Sequence, residues 1–344
     1  GGSEAFLASR GVAVPEALKD SVPCAETRRM AARLLAGGKT AVFLGNVMVQ
    51  SPFAGVLHVL AAQLSELTGA TLGFIGEAAN SVGGYLVGAV PEKGANARQI
   101  FEQPKQAYVL LGIEPELDCA EGVRALAALQ QAKTVIVLSA FKSAKALEYA
   151  DVLLPTAPFS ETSGTFVNCE GRVQSFQAVA KAAGEARPGW KVLCVLGNLL
   201  GLSGFEYESS EGVRDEVLGT GVEFAAGLDN GLKTSEISLP AAVQGIERIA
   251  DIPAYFADPL VRRAPSLQKT KAAAKPVARL AAETLNKLGL AAGEPVRVRQ
   301  GQDSVELLAV VDDKVPPGCV QIAAAHPATA ALESLFGSIT VERA

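Results

Sequence analysis

The sequence predicts an α/β protein in which a doubly wound, mostly parallel sheet is followed by a small β-rich domain. Short β-rich runs alternate with helical stretches through residues 27–155, as βαβ units do. The stretch Ser266–Pro276 (SLQKTKAAAKP) mixes Lys, Ala and Pro and reads as a domain boundary. The residues beyond it carry strand-like runs separated by turn signals. With 344 residues the chain is long enough for two domains, each with its own core.

Taken in order, the predicted strands of the first domain are Thr40–Leu44, Thr71–Ile75, Tyr108–Gly112, Thr134–Leu138 and Asp151–Leu154. Between them Pro52–Leu67, Cys119–Gln131 and Ser143–Tyr149 carry apolar residues at helical spacing, with Ser51 an expected N-cap before Pro52 at the first helical position. Residues 155–176, bracketed by prolines and glycines, read as an ordered loop. Trp190–Leu202 reads as an apolar helix, and about sixty residues of mixed helix and loop follow. Past the boundary, Ala278–Leu288 is predicted helical and Leu290–Gly293 turns. Val296–Arg299, Val305–Val311 and Cys319–Ala323 are predicted strands.

Hydrophobic residues make up 49% of the chain and charged residues 19%, which excludes a disordered charged tail and suggests that partner subunits cover some surface. The most apolar stretch, Val192–Phe205, is interrupted by Gly197, Asn198, Gly201, Ser203 and Gly204. It is shorter than the roughly 20 apolar residues a bilayer span needs, so no direct membrane insertion is expected. A net charge of −5, with 31 dispersed Lys and Arg, argues against a nucleic-acid partner. Gly1-Gly2-Ser3 in place of Met reads as a cloning remnant or as a cut from a longer polypeptide, and no secretory leader is visible.

Cys24, Cys119, Cys169, Cys194 and Cys319 lie far apart with no CxxC pair, and His58 and His326 form no close pair with any of them. No metal or cluster site is therefore expected within these residues, and the thiols are expected reduced and buried. Gly201-Leu202-Ser203-Gly204 misses the GxSxG spacing of a nucleophile elbow. No catalytic residue is nominated.

Ligands of such sheets sit beyond the carboxyl ends of the strands. The loop Gly45–Ser51, with Gly45 and Asn46 at its start, lacks both GxGxxG and GxxxxGK[ST]. The loop Gly76–Gly84, with Glu77 and Asn80, offers flexible backbone and polar side chains. Gly112–Asp118 carries three carboxylates, Glu114 among them. That loop reads equally well as an acidic start for the next helix. Glu161, Asn168, Glu170 and Arg172 could form an acid/base site, or Arg172 could simply pair with a carboxylate.

ETSGTFVNCEGRVQSF (Glu161–Phe176), directly after ADVLLP (Ala150–Pro155), resembles the molybdopterin-oxidoreductase family, as do LLGIEPELD (Leu110–Asp118) and the Glu77–Gly84 loop. The segments Leu288–Arg299 and Val305–Ile322 are similar to that family's C-terminal β-barrel domain. Within the family, GEAANSVGGYLVGAVP (Gly76–Pro91) and DIPAYFADPLVRRAPSLQKT (Asp251–Thr270) resemble the large peripheral-arm subunits of bacterial NADH:quinone oxidoreductases, the respiratory complex I.

The resemblance implies a preceding-region remnant at 1–26, a molybdopterin-oxidoreductase-like α/β domain at 27–265 and a β-barrel-like domain at 277–344. It implies a cofactor-free scaffold that supports NADH-to-quinone electron transfer. Iron–sulfur clusters would lie in an N-terminal region outside this chain, and molybdopterin is not expected. Partners would be other peripheral-arm subunits, on the cytoplasmic side of the bacterial inner membrane. Gly45, Asn46, Glu77, Asn80, Gly112, Glu114, Glu161, Asn168 and Arg172 would be vestiges of pterin-side loops. The rival expectation is the catalytic subunit of a molybdenum or tungsten enzyme such as a formate dehydrogenase. A simple nucleotide-binding module ranks third.

Overall fold

The computed structural model describes residues 22–91, 93–232 and 245–344. Of the expected remnant at 1–26, residues 1–21 lie outside the described residues, as do 233–244 of the mixed stretch after the apolar helix. The chain divides into two compact units. One holds the described residues up to Val82 with Asn168–Arg172 and the described residues from Glu223 to Leu232, and the other holds the remainder.

The first unit begins with α1 (Ala25–Leu35), whose first turn is capped by Cys24. β1 (Ala41–Leu44) leads through α2 (Asn46–Gln50) and α3 (Ala54–Thr68) to β2 (Thr71–Phe74), which pairs with β1 in parallel from Ala41↔Thr71 to Leu44↔Phe74. Ser51 does not cap the long helix. It closes α2, pushed into extended backbone ahead of Pro52, and its hydroxyl accepts from the Phe53 N–H at 3.1 Å, so α3 starts only at Ala54. α3 stops at Gly69, whose φ of +70° only glycine adopts cheaply. A cavity of about 480 Å³ lies between α3, Leu72 and Asp229–Leu232. Asn230 borders it, donating to the Leu72 carbonyl at 2.9 Å. After β2 comes α4 (Ser81–Leu86).

In the second unit α5 (Ala97–Glu102) opens on a capping box formed by Asn96 and Gln99. β3 (Ala107–Leu111), α6 (Pro115–Asp118), α7 (Gly122–Gln131), β4 (Thr134–Ser139), α8 (Ala146–Tyr149) and β5 (Val152–Pro155) follow. The three strands form a parallel sheet in the order β3-β4-β5. The expected parallel strands thus fall into two sheets, one in each unit. Tyr108, Leu110, Val135 and Val137 pack against Ala128 and Leu129 of α7. Burying a Leu side chain contributes about 1.5–3 kcal/mol, so this core and not the exposed ion pairs around it holds the layer.

Residues 155–176 are not wholly loop. β6 (Gly164–Val167) and β7 (Val173–Phe176) form an antiparallel hairpin in register from Gly164↔Phe176 to Val167↔Val173. The Phe166 and Phe176 rings meet edge to face at 5.1 Å. α9 (Gly189–Leu199) and α10 (Ser210–Leu218) follow.

A strand upstream of Ser266–Pro276, β8 (Ile246–Ile249), belongs to the C-terminal barrel. After α11 (Pro259–Arg262) the barrel is completed by β9 (Ala278–Leu280), β10 (Pro295–Gln300), β11 (Asp303–Val311), β12 (Cys319–Gln321) and β13 (Phe336–Arg343), with α12 (Ala282–Lys287) after β9. The strands close in the order β10-β11-β9-β12-β8-β13. Residues 278–280, expected helical, are a strand instead. Ala278 and Leu280 are fully buried with Arg279 outward between them, and the segment pairs parallel to β11 and antiparallel to β12. Those two partners, supplied by residues far along the chain, override a helical-looking local pattern. Val296, Val298, Ala309, Val320 and Ile322 fill the interior.

Candidate functional site

In the first unit Gly45 and Asn46 follow the end of β1, and Glu77 and Asn80 follow the end of β2. Parallel pairing brings these loops together, and the Gln50 amide donates to the Glu77 carboxylate. Asn168 and Arg172 sit in the hairpin turn. The Asn168 side chain accepts from the Glu170 and Arg172 N–H groups at 3.0 and 2.9 Å, so it closes the turn. Arg172 points into solvent. Gly171, at φ +79°, leaves no room for a Cβ, which would stand 2.7 Å from the Ala225 backbone nitrogen.

In the second unit Glu161 accepts from the Ala183 N–H at 2.9 Å, which fixes the strand-following loop. Gly112 turns the chain out of β3 at φ +66° and donates to the Leu138 carbonyl at 2.8 Å. Glu114 then precedes α6, with Pro115 at its first position. Its side chain, only 6% exposed, lies between two guanidinium groups. Arg262 Nη1 reaches Glu114 Oε2 at 3.1 Å, and Arg263 Nη2 bonds Glu114 Oε1. Arg262 also binds Asp118 and donates through Nε to the Phe256 carbonyl at 2.9 Å. Asp118 in turn accepts from the Glu114 N–H at 2.6 Å, and the Arg263 guanidinium stacks 4.8 Å from the Phe141 ring. The arginines are delivered by α11, whose N-cap Asp258 accepts from Leu260 and Val261.

The rest of this loop is acidic and partly desolvated. Burial, reinforced by the Glu114 and Asp118 charges, raises the Glu116 carboxyl above the usual carboxylate range. Burial and the same acidic neighbourhood push the Cys119 thiol up to about 11, so it stays protonated and is a poor nucleophile. The Tyr149 phenol is raised too, first by burial and then by Glu116, Glu114 and Asp118. Of the thiols expected to be buried, only Cys194 is; Cys24 and Cys169 are exposed, and Cys119 and Cys319 are intermediate. Among the described residues no group of three or more His, Cys, Asp or Glu is placed to hold a metal ion.

Arg262, Arg263 and Arg248 are the residues that reading the sequence for chemistry misses. Arg248, on β8, is 1% exposed inside the barrel. It donates to Gln300 Oε1 at 3.2 Å and to the Ser334 carbonyl at 2.5 Å, while burial lowers its pKa to about 10. Adjacent arginines in a capped helix are visible in DPLVRR, but their acidic partners lie some 148 residues away.

Residues 4–199 match the family model described as molybdopterin oxidoreductase, and residues 260–341 match that of the molydopterin dinucleotide binding domain. The chain is 33% identical over 131 residues to a nitrate reductase of a Synechocystis species, covering 37% of this chain and 18% of the relative. It is 29% identical over 154 residues to the mitochondrial NADH-ubiquinone oxidoreductase 78 kDa subunit of Neurospora crassa, covering 41% and 20%. A putative formate dehydrogenase of Staphylococcus aureus is 38% identical over 69 residues, 20% of this chain and 7% of that protein. The chain thus spans a fifth or less of the length of these relatives. Acetylene hydratase from Pelobacter acetylenicus shares the fold, with a TM-score of 0.54 at 18% identity over 73% of this chain and 47% of that one.

Proposed function

Since the chain belongs to the molybdopterin oxidoreductase family, with a mixed α/β fold and a C-terminal six-stranded barrel, we propose that it is a cofactor-free scaffold. In this reading it serves a respiratory NADH:quinone oxidoreductase, as part of the large peripheral-arm subunit. The observation that carries this is the Glu114 carboxylate held by Arg262 and Arg263. A pterin dinucleotide presents a pyrophosphate to loops at the carboxyl ends of strands. The loop after β3 offers it Glu114, Glu116 and Asp118, and the guanidiniums beside them already bind carboxylates. Those residues do not fit a phosphate group. The similarity to the NADH-ubiquinone oxidoreductase 78 kDa subunit supports the same reading.

In such an assembly the chain would move no electrons. Its packed sheet and closed barrel would hold neighbouring subunits against cluster-bearing polypeptide, at the cytoplasmic side of the inner membrane. No helix among the described residues is long and apolar enough to cross a membrane. The test is metal analysis of the whole natural protein together with fluorescence of oxidised pterin. Neither molybdenum, tungsten nor pterin is expected, and a stoichiometric amount of either metal with pterin would overturn the proposal.

A second reading, a subunit of a molybdopterin-dependent oxidoreductase, is favoured by the similarity to nitrate reductase and formate dehydrogenase sequences and by the dinucleotide-binding family match at 260–341. The same metal analysis separates the two.

A further inference from the structure

One stripe of α3 forms a wall of the cavity of about 480 Å³ in the first unit. Val59, Ala62, Gln63 and Glu66 recur at i, i+3, i+4 and i+7, which puts them on one helix face, and all four line the cavity. Ala70 and Leu72, at the amino end of β2, line it too. The remaining wall, Asp229–Leu232, is fastened through Asn230, whose amide donates to the Leu72 carbonyl at 2.9 Å and whose carbonyl accepts from His58 Nε2 at 3.2 Å. The loop that carries Glu77 and Asn80 leaves the other end of β2, so this cavity is a separate place from it.

A volume of this size falls within the roughly 300–1,000 Å³ of small-molecule sites. Its chemistry is one-sided. Glu66 comes from the helix and Asp229 from the other wall, and no Lys, Arg or His is among the described residues that line it. Neither carboxylate takes part in any ion pair among the described residues. Asp229 accepts from the Gly231 N–H at 2.8 Å, which orients it. Ser65 also lines the cavity; it is 7% exposed, and its hydroxyl has no hydrogen-bond partner, a state that buried polar groups rarely keep. Val59, Ala62, Ala70 and Leu72 add apolar surface between these polar groups.

We propose that this cavity binds a short aliphatic diamine, with one ammonium group at Glu66, the other at Asp229 and the carbon chain over Val59, Ala62 and Leu72. An ammonium group donates three hydrogen bonds and accepts none, which suits two carboxylates and the Ser65 hydroxyl oxygen. An anion would meet two like charges. A bare metal ion would leave the apolar surface uncovered, and among the described residues no group of three or more His, Cys, Asp or Glu is placed to hold one. The inference does not depend on whether a pterin binds.

The probe is putrescine, a four-carbon diamine, titrated into the full chain at low salt and followed by isothermal calorimetry. One saturable site is expected, weakened about fivefold by Glu66→Gln and by Asp229→Asn and weakened further by added salt. Ala62→Phe, which fills the cavity, should abolish it. Glu206→Gln with Glu208→Gln, which removes two exposed carboxylates elsewhere, should leave it unchanged. The matching diol should not bind. Absence of a saturable site, equal binding of the diol, or indifference to both the Glu66 and the Asp229 changes would overturn the proposal. Equal weakening by the Glu206 and Glu208 changes would overturn it in favour of diffuse attraction to the net charge of −5. Stoichiometric displacement by magnesium at constant ionic strength would overturn it in favour of an inorganic cation. Circular dichroism checks the fold of each variant, and the exposed Glu66 and Asp229 changes decide the matter if Ala62→Phe does not fold.

Discussion

Glu114 and Arg262, 148 residues apart in the chain, meet at 3.1 Å with both side chains 6% exposed. The contact ties the loop leaving β3 to the short helix α11. A pair so far from water is held in place by its extra bonds, namely Asp118 and the Phe256 carbonyl on Arg262 and the second guanidinium on Glu114.

Removing one partner of such a network leaves buried charge uncompensated. Glu114→Ala is therefore expected to cost about 3–5 kcal/mol, read as a fall in the denaturation midpoint at unchanged slope. Replacing Glu114 and Arg262 together by Leu and Met should recover much of the loss. A double-mutant cycle measures the coupling.

Glu116 carries the opposite liability. Its folded pKa is raised, so its favourable contribution is complete below the ordinary carboxylate pKa and is lost as pH rises through the folded value. Glu116→Gln should flatten the pH dependence of stability above pH 5 and raise the melting temperature at neutral pH. An unchanged profile in the variant would contradict the assignment.

Arg248 separates charge from packing. Arg248→Ala should cost about 2–4 kcal/mol through the cavity it opens among barrel residues. Arg248→Met fills that space and removes a desolvated cation, at the expense of the Ser334 carbonyl's partner, and should stay within about 1 kcal/mol of the parent. Chemical denaturation of the two variants decides which term dominates.

His326 gives a second pH signature. Burial first, and then Lys275, lower its pKa, and its Nδ1 accepts from the Ala328 N–H at 2.9 Å, a bond that protonation removes. The neutral ring also packs against Phe256 at 4.5 Å. Its contribution is fully present above the ordinary histidine pKa and is lost as pH falls through the lowered value. His326→Asn should remove that step from thermal melts recorded between pH 5 and 7.

Much of the architecture could be read locally. The runs TAVFL and TVIVL carry β-branched residues and follow a lysine, YVLLG is a short apolar run ending in glycine, and each became a strand near its predicted limits. Local signals failed where pairing came from elsewhere. Ala278–Leu280 reads as the start of a helix until β11 and β12 flank it, and the β6–β7 hairpin hid among turn residues. The nominated loops proved unequal. Asn168 spends its side chain on backbone groups of its own turn and Glu161 on the Ala183 N–H beyond the β6–β7 hairpin, while Glu114 has partners that nothing in its neighbourhood announces.

The sequence by itself determined the α/β class, the β-rich end and the absence of close-spaced metal ligands, because periodicity and spacing are properties of neighbouring residues. Only the tertiary structure decided what the charges do. Whether a carboxylate after a strand is a ligand or half of a buried ion pair depends on which distant residues share its desolvated space, and here Arg262 and Arg263 occupy it. Similarly, an apolar helix reads alike in sequence whether buried or exposed; in α9 Gly197 packs closely on Phe205 while Val195 and Leu199 are exposed.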